Sequence, residues 1–136
     1  MTDTTGAGDN MAQHFLGEAI ANGVNIHLLS SAVNYADGDT EIQAASEASE
    51  AVGSAALTTN SATGFNDVAT ITNDNDVVFD VSGITDSTTI THLAIQDQTN
   101  TDRFLLSDET NNPDIGELDT YTIDANTTLY EFGNPV

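Results

Sequence analysis

Arg103 is the only Lys or Arg in 136 residues, against 22 Asp and Glu residues, and the formal net charge is −21. Self-repulsion of this size opposes a compact state. At molar salt the Debye length falls to about 3 Å, so repulsion between exposed carboxylates is largely screened. The acidic residues are spread along the chain between recurring apolar clusters. We therefore interpret the chain as a folded protein of an extreme halophile rather than a disordered acidic tail.

The shortage of positive side chains also limits which partners the protein can bind. A single Arg cannot neutralise a phosphate backbone, so we predict no nucleic-acid partner. Anionic membrane surfaces are disfavoured for the same reason, and no apolar run approaches the roughly 20 residues of a membrane span. The opening residues, MTDTTGAGDN, are polar and acidic, unlike a signal peptide. The chain has no Cys, which excludes disulfides and thiolate catalysis.

After Phe65 the sequence becomes a series of short segments rich in Val, Ile, Thr and aromatic residues, separated by Asn, Asp and Gly. This pattern predicts strands at 67–72, 76–82, 88–97, 103–107, 119–124 and 127–132. A further strand is predicted at 24–33, and 124–127 is predicted to close a hairpin between the last two strands. Many short strands at this spacing favour a mainly β fold, specifically an antiparallel, jelly-roll-like β-sandwich, or else a small barrel.

The N-terminal part is predicted to be less regular. Residues 1–8 are interpreted as a flexible arm, and 9–136 as one domain that begins with an α-helix at 9–23, packed at an edge of the sandwich. Residues 34–41 are predicted to be an acidic loop. Residues 42–64 are rich in Ala and Ser and remain ambiguous, with a short helix followed by a loop as the prediction.

Two acidic turns could supply oxygen ligands for Ca²⁺ or Mg²⁺. Neither has the spacing of an EF-hand loop, and a solvated turn that binds cations diffusely is the simpler interpretation. The candidate ligands are Asp37, Asp39 and Glu41 in the first turn and, as weaker candidates, Asp74 and Asp76 in the second.

Two further residues stand out. Arg103 begins a predicted strand opposite 88–97, so we predict an ion pair with Asp97 or with a carboxylate of another subunit. Asn126 begins the glycosylation sequon Asn126-Thr127-Thr128 at a predicted tight turn, where an ordinary turn asparagine is the alternative.

No catalytic motif is present: the chain lacks G-x-S-x-G, a P-loop, G-x-G-x-x-G and H-E-x-x-H. Its three histidines, His14, His27 and His92, are far apart, which favours core or interface positions over zinc ligation. Carboxylates are so frequent that a catalytic pair cannot be singled out. We therefore predict a protein that is not an enzyme.

Three stretches resemble small structural proteins of tailed phages, often labelled tail-fibre-like or minor virion proteins. ITHLAIQDQTNTDRFLLSD (90–108) resembles a strand–turn–strand element of that family, and GELDTYTIDANTTLYEF (116–132) resembles its closing element. NMAQHFLGEAIANGVNIHLLSSAVNYADGDTEI (10–42) resembles its opening helix, first strand and acidic loop. The family's usual strand after that loop is replaced here by Ala, Ser and Thr at 44–62.

Together with the acidic composition, the resemblance implies a virion protein of a tailed virus that infects a haloarchaeon. It would be a homo-oligomeric head-decoration or turret subunit, or a tail-associated one, in contact with other virion proteins on the particle surface. The alternative is a receptor- or glycan-binding module at a fibre tip or spike, which would contact the host surface through loops 34–41, 97–102 and 108–118. A cellular halophilic surface domain is a third possibility.

Overall fold

The computed structural model describes residues 22–60 and 68–133, together with Phe15 and Gly17. These residues form nine strands, and the prediction of a mainly β protein is confirmed. The strands are β1 Val24–Leu29, β2 Ser46–Val52, β3 Leu57–Asn60, β4 Val68–Asn73, β5 Val77–Asp80, β6 His92–Asp97, β7 Phe104–Asp108, β8 Thr120–Ile123 and β9 Thr128–Gly133. One α-helix, α1, spans Gly38–Ala45, and short 3-10 helices span Tyr35–Asp37 and Ser54–Ala56.

The strands form three sheets, and every pairing within them is antiparallel. The largest sheet has the order β2-β1-β6-β7, the second β3-β4-β9, and the third pairs β5 with β8. The main core is shared by all three sheets, and its buried members include Ile26 of β1, Ile71 of β4 and Phe79 of β5. One continuous apolar interior therefore holds the sheets together.

The opposite face of the largest sheet is covered as well. Leu29 and Ala94 of this sheet form a second buried cluster with Ile42 and Ala45 of α1. Neighbouring residues of one strand point to opposite faces, so Leu93 and Ile95 join the main core while Ala94 joins this cluster. The central strands β1 and β6 of the largest sheet are thus buried on both faces, with α1 as the outer cover.

The sequence predicts an N-terminal helix at 9–23 and a short helix in the first part of 42–64, and the described α-helix overlaps only the second, at residues 42–45. The predicted arm 1–8 and most of the predicted helix 9–23 lie outside the described residues. Phe15 and Gly17 have helical backbone, and the Phe15 side chain is buried in the main core. α1 instead begins inside the predicted loop 34–41, where Asp39 and Glu41 in the first turn favour a helix N-terminus.

Of the predicted short helix and loop at 42–64, residues 42–45 are the last part of α1, strands β2 and β3 take the place of most of the rest, and 61–64 lie outside the described residues. β2 lies at the edge of the largest sheet and pairs with β1 from Val24↔Val52 to Leu28↔Ala48. Most of its side chains are exposed or half-buried, and its sequence, SEASEAV, has little of the β-branched content that marks a strand. The extended conformation of β2 is therefore determined by backbone pairing with β1, and the strand propensity of its residues does not predict it.

The predicted hairpin between the last two strands is wrong. β8 pairs with β5 in one sheet, whereas β9 pairs with β4 in another. Segments 68–80 and 120–133 therefore run side by side and pass together from one sheet to the other, bending at 73–76 and 124–127. Strands that change sheets at a shared corner are a known feature of packed β-sheets.

Asn73 explains why the turn at 124–127 does not close a hairpin. Its side chain is fully buried, and its Nδ2 donates to the carbonyl oxygens of Asn75 at 2.9 Å and Asp124 at 2.8 Å. Its Oδ1 accepts from the Thr127 N–H at 2.9 Å. A second link joins the Ala125 N–H to Asp76 Oδ1 at 2.8 Å. The turn is therefore hydrogen-bonded to the β4–β5 corner as well as internally, where Thr127 Oγ1 donates to the Asp124 carbonyl at 2.6 Å.

We expect Asn73→Ala to destabilise the protein because it removes the acceptor of the Thr127 N–H and one of the two donors to the Asp124 carbonyl. Each buried group left unsatisfied costs about 1–3 kcal/mol in the free energy of unfolding. Urea unfolding in molar salt measures this loss. Asn75→Ala is the matched control: this residue is exposed and only its backbone oxygen is used, so the change should stay within about 0.5 kcal/mol. Equal effects of the two variants would contradict this account of the corner.

Candidate functional site

The turn between β6 and β7 is organised around a buried carboxylate. Asp97 Oδ1 accepts from the backbone N–H groups of Thr99 at 2.9 Å and Asn100 at 3.1 Å. Its Oδ2 accepts from Arg103 Nη1 at 2.9 Å and from Asn22 Nδ2 at 3.3 Å. The structure thus brings together the two residues of the predicted ion pair. It also shows that Arg103 is one of four donors to this carboxylate.

The balance of these contacts keeps Asp97 charged. Burial raises the pKa of Asp97, but the Asn100 and Thr99 amides, with Asn22 and Arg103, lower it by more, so the net pKa lies below its ordinary value. The Asp97 side chain is fully buried, whereas 31% of the Arg103 side chain is exposed. The backbone amides, which remain in place in any side-chain variant, therefore supply much of the stabilisation of the carboxylate.

Gln96 precedes Asp97 and points to the opposite face of the sheet, towards α1. Its side-chain Nε2 donates to the Thr101 carbonyl and to Asp39 Oδ1, both at 2.8 Å. Its Oε1 lies 3.1 Å from His27 Nε2. Because both amide hydrogens are used, the oxygen faces the imidazole, and the His27 Nε2 must carry the proton. Gln96 thus links β1, α1 and the β6–β7 turn.

His27 completes this network inside the protein. The side chain is 4% exposed, and its Nδ1 lies 2.8 Å from Ser46 Oγ, whose hydroxyl donates to the neutral ring. Burial lowers the pKa of His27, and the Gln96 hydrogen bond and the Asp39 charge oppose that shift only in part. His92, by contrast, lies at the surface, with its Nε2 3.3 Å from Asp108 Oδ1. His14 lies outside the described residues.

An aromatic shelf lies beside this network. We use this name for Tyr35 and Phe104, whose rings stack with centroids 5.3 Å apart and planes inclined by 15°. The Phe104 ring also lies directly on Gly38, where a Cβ atom would approach Phe104 Cζ to 2.1 Å. Only glycine fits at this position without moving the ring, so the first residue of α1 helps to fix the shelf.

The shelf borders a pocket of about 490 Å³ with an acidic rim. The loops 34–41 and 97–102 meet here, whereas 108–118 does not line the pocket. The hydrogen bond from Gln96 is the main reason that the pKa of Asp39 is lowered, and it also fixes the orientation of the carboxylate. The lining residues are Tyr35, Ala36, Asp37, Gly38, Asp39, Thr40, Asp102 and Phe104.

The predicted metal ligands have structural contacts of their own. Asp39 accepts from Gln96, and Glu41 Oε2 accepts from the Asn34 N–H at 2.9 Å. Asp37 is the N-cap residue of α1, but its side chain makes no capping hydrogen bond. Asp76 holds the corner, as described above, and Asp74 Oδ1 accepts from Thr58 Oγ1. Among residues 22–60 and 68–133, no group of three or more His, Asp or Glu side chains converges as metal ligands would. Binding of Ca²⁺ or Mg²⁺ stays a prediction.

The predicted glycosylation site lies at the shared corner. Asn126 has a positive φ of 65°, and its backbone N–H donates to the Asn73 carbonyl at 2.6 Å. The Asn126 side chain is exposed, and so is that of Thr128, which completes the sequon. The acceptor amide is accordingly accessible from solvent, and its modification stays a prediction.

The comparisons with known proteins name no relative. A scan against protein-family models and searches of curated proteins and of solved structures found no significant match. In the part of the chain that the structure describes, no helix is both long enough and apolar enough to cross a membrane. The chemistry of the described side chains is therefore what bears on function.

We predict that His27 makes stability depend on pH. Its pKa is lowered in the folded state, so the unfolded chain binds a proton first as the pH falls below the ordinary value of 6.5. The stabilisation is thus complete above pH 6.5 and is lost as the pH falls towards the folded-state pKa. In urea unfolding at constant molar salt, the stability advantage of wild type over His27→Gln should shrink between about pH 7.5 and pH 5. All other residues are common to the two proteins, so the difference isolates the contribution of His27. A constant difference would contradict the prediction.

Substitutions of Asp97 and Arg103 should lower the free energy of unfolding by different amounts. Asp97→Asn removes a charged acceptor from four donors and should lower the free energy of unfolding by about 1.5–3 kcal/mol. Arg103→Gln leaves the backbone donors in place, and because the arginine is partly exposed it should cost about 1 kcal/mol or less. Urea unfolding in molar salt gives both values. The reverse order would mean that the arginine, rather than the amides, holds the turn.

Proposed function

We propose that this protein is a non-enzymatic structural subunit of a tailed-virus particle that infects a halophilic archaeon. The observation that carries the halophilic part is the placement of the single arginine. Arg103 donates to the buried carboxylate of Asp97, and one cation cannot neutralise 22 carboxylates, so nearly all of the exposed ones have to be countered by ions of the solvent. Such a surface is suited to molar salt, where screening removes the self-repulsion that opposes folding in dilute buffer.

The virion role rests on the resemblance of residues 10–42, 90–108 and 116–132 to tailed-phage structural proteins. We propose a jelly-roll-like β-sandwich in which the largest sheet faces the other two across the main core. The shared core and the strands that change sheets at a corner support this arrangement. A head-decoration or turret position is favoured over a tail-associated one.

Assembly would place copies of the chain in a closed symmetric oligomer, in contact with other virion proteins. Repulsion between acidic surfaces is weak in brine, and salting-out ions strengthen apolar burial, so apolar side chains should form the subunit contacts. Val78 and Leu118, which are 47% and 41% exposed, are the candidates we expect such contacts to cover.

Sedimentation in molar salt and after dialysis to low salt tests this proposal. We expect a discrete oligomer in brine that dissociates or unfolds at low salt, because unscreened repulsion between carboxylates then dominates. Circular dichroism of the same samples separates dissociation from unfolding. Val78→Ser and Leu118→Ser should shift the oligomer towards monomer in brine. A folded monomer under both conditions would contradict both the halophilic character and the assembly role.

A second candidate function is a receptor- or glycan-binding module at a fibre tip or spike. It is favoured by the convergence of loops 34–41 and 97–102 on the pocket beside the aromatic shelf. Particles that assemble normally but lose host attachment when the protein is altered would support this role. Failure of particle assembly would support the structural one.

A further inference from the structure

We infer that the aromatic shelf and its acidic pocket bind a neutral carbohydrate. Tyr35 is 63% exposed, more than any other large apolar side chain in the described residues. An exposed aromatic ring has apolar surface in contact with water, and a ligand that covers this surface gains hydrophobic free energy. This inference deepens the second candidate function and does not depend on the assembly role.

The shelf is held in place before any ligand arrives. Phe104 lies in β7 and stacks against one face of the Tyr35 ring, while Gly38 supports the Phe104 ring from α1. The segment that carries Tyr35 is fixed by Asn34, whose Oδ1 accepts from the Ala36 N–H at 3.0 Å. A preformed platform avoids the entropic cost of ordering side chains on binding.

The polar side of the pocket is made of acceptors. Asp37, Asp39 and Asp102 line it, and Asp39 is oriented by the Gln96 amide at 2.8 Å. An ionised carboxylate only accepts hydrogen bonds, and its bonds with hydroxyl donors are short and strong. A pyranose ring offers an apolar C–H face for an aromatic ring and a rim of hydroxyl donors for the carboxylates. The pocket therefore has both halves of the complement to a sugar.

Charge selects among possible ligands. Among the described residues that line the pocket none is Lys, Arg or His, so none of them would pair with the carboxylate of an acidic sugar. A cation is the rival ligand, since carboxylates and an aromatic face both attract ammonium groups. That attraction weakens in molar salt, whereas stacking and hydrogen bonding to hydroxyls persist. A neutral sugar is thus the ligand that suits this site in brine.

Nuclear magnetic resonance titration of the full chain in molar NaCl tests the inference. The probes are glucose, galactose, mannose and N-acetylglucosamine, with glucuronate as the acidic sugar and tetramethylammonium as the cation. At least one neutral sugar should shift the amide signals of residues 35–40 and 102–104, with glucuronate binding more weakly. Absence of binding by all four neutral sugars, or shifts caused only by tetramethylammonium, would overturn the inference.

Variants locate the binding on the shelf. Tyr35→Ala should weaken sugar binding at least about tenfold, a loss of about 1.4 kcal/mol, without changing the urea midpoint, because the side chain is largely exposed. Tyr35→Phe keeps the ring and should bind nearly as well as wild type. Thr120→Ala in β8 is the control for an exposed side chain elsewhere. Undiminished binding by Tyr35→Ala would overturn the site.

Sedimentation of the titrated samples keeps this inference separate from the assembly proposal. A monomer that binds sugar through Tyr35 would contradict assembly and support the site. An oligomer that binds no sugar would support assembly and contradict the sugar site.

Discussion

The structure depends on one constraint: its carboxylates must find hydrogen-bond donors in a chain with almost no cationic side chains. Backbone N–H groups and hydroxyls do what Lys and Arg do in other proteins. Asp114 Oδ1 accepts from the amides of Thr88 and Gly116, both at 2.9 Å, and the Ser87 hydroxyl contributes most to lowering its pKa. Such carboxylates are therefore part of the turns. Each fixes a local backbone conformation through its hydrogen bonds, while its negative charge is balanced by the solvent.

This way of using carboxylates also shapes the largest sheet. One face of that sheet is apolar and joins the main core, whereas the other carries His27 and Gln96 beneath α1. A buried polar network is costly unless every member is paired, and here each link has a donor and an acceptor. The network ties Asp39, in the first turn of α1, to β6, so the helix has one preferred position over the sheet. That position presents Gly38 to Phe104 and creates the pocket.

The sequence predicts a strand correctly where the strand itself is rich in apolar and β-branched residues. β4 to β9 follow from Val, Ile, Thr and aromatic segments, but β2 and β3 do not, because pairing partners decide their conformation. The Arg103–Asp97 pair could be proposed because the two residues flank one turn. The His27–Gln96 and Gln96–Asp39 contacts join residues 69 and 57 positions apart, and no local pattern signals them. A glutamine inside the apolar segment LAIQD was the available hint of a buried polar partner.

The paired segments 68–80 and 120–133 have a consequence for how the chain acquires its fold. Val77 pairs with Ile123, and Val68 with Gly133, so these partners are 46 and 65 positions apart in sequence. Contacts of such long range require a large loop to close before they contribute, which slows folding. On the ribosome, β4 can pair early with β3, but β5 must wait until β8 has been synthesised. Charged residues beside a strand oppose its association with other chains, and Asp74 and Asp76 occupy such positions between β4 and β5.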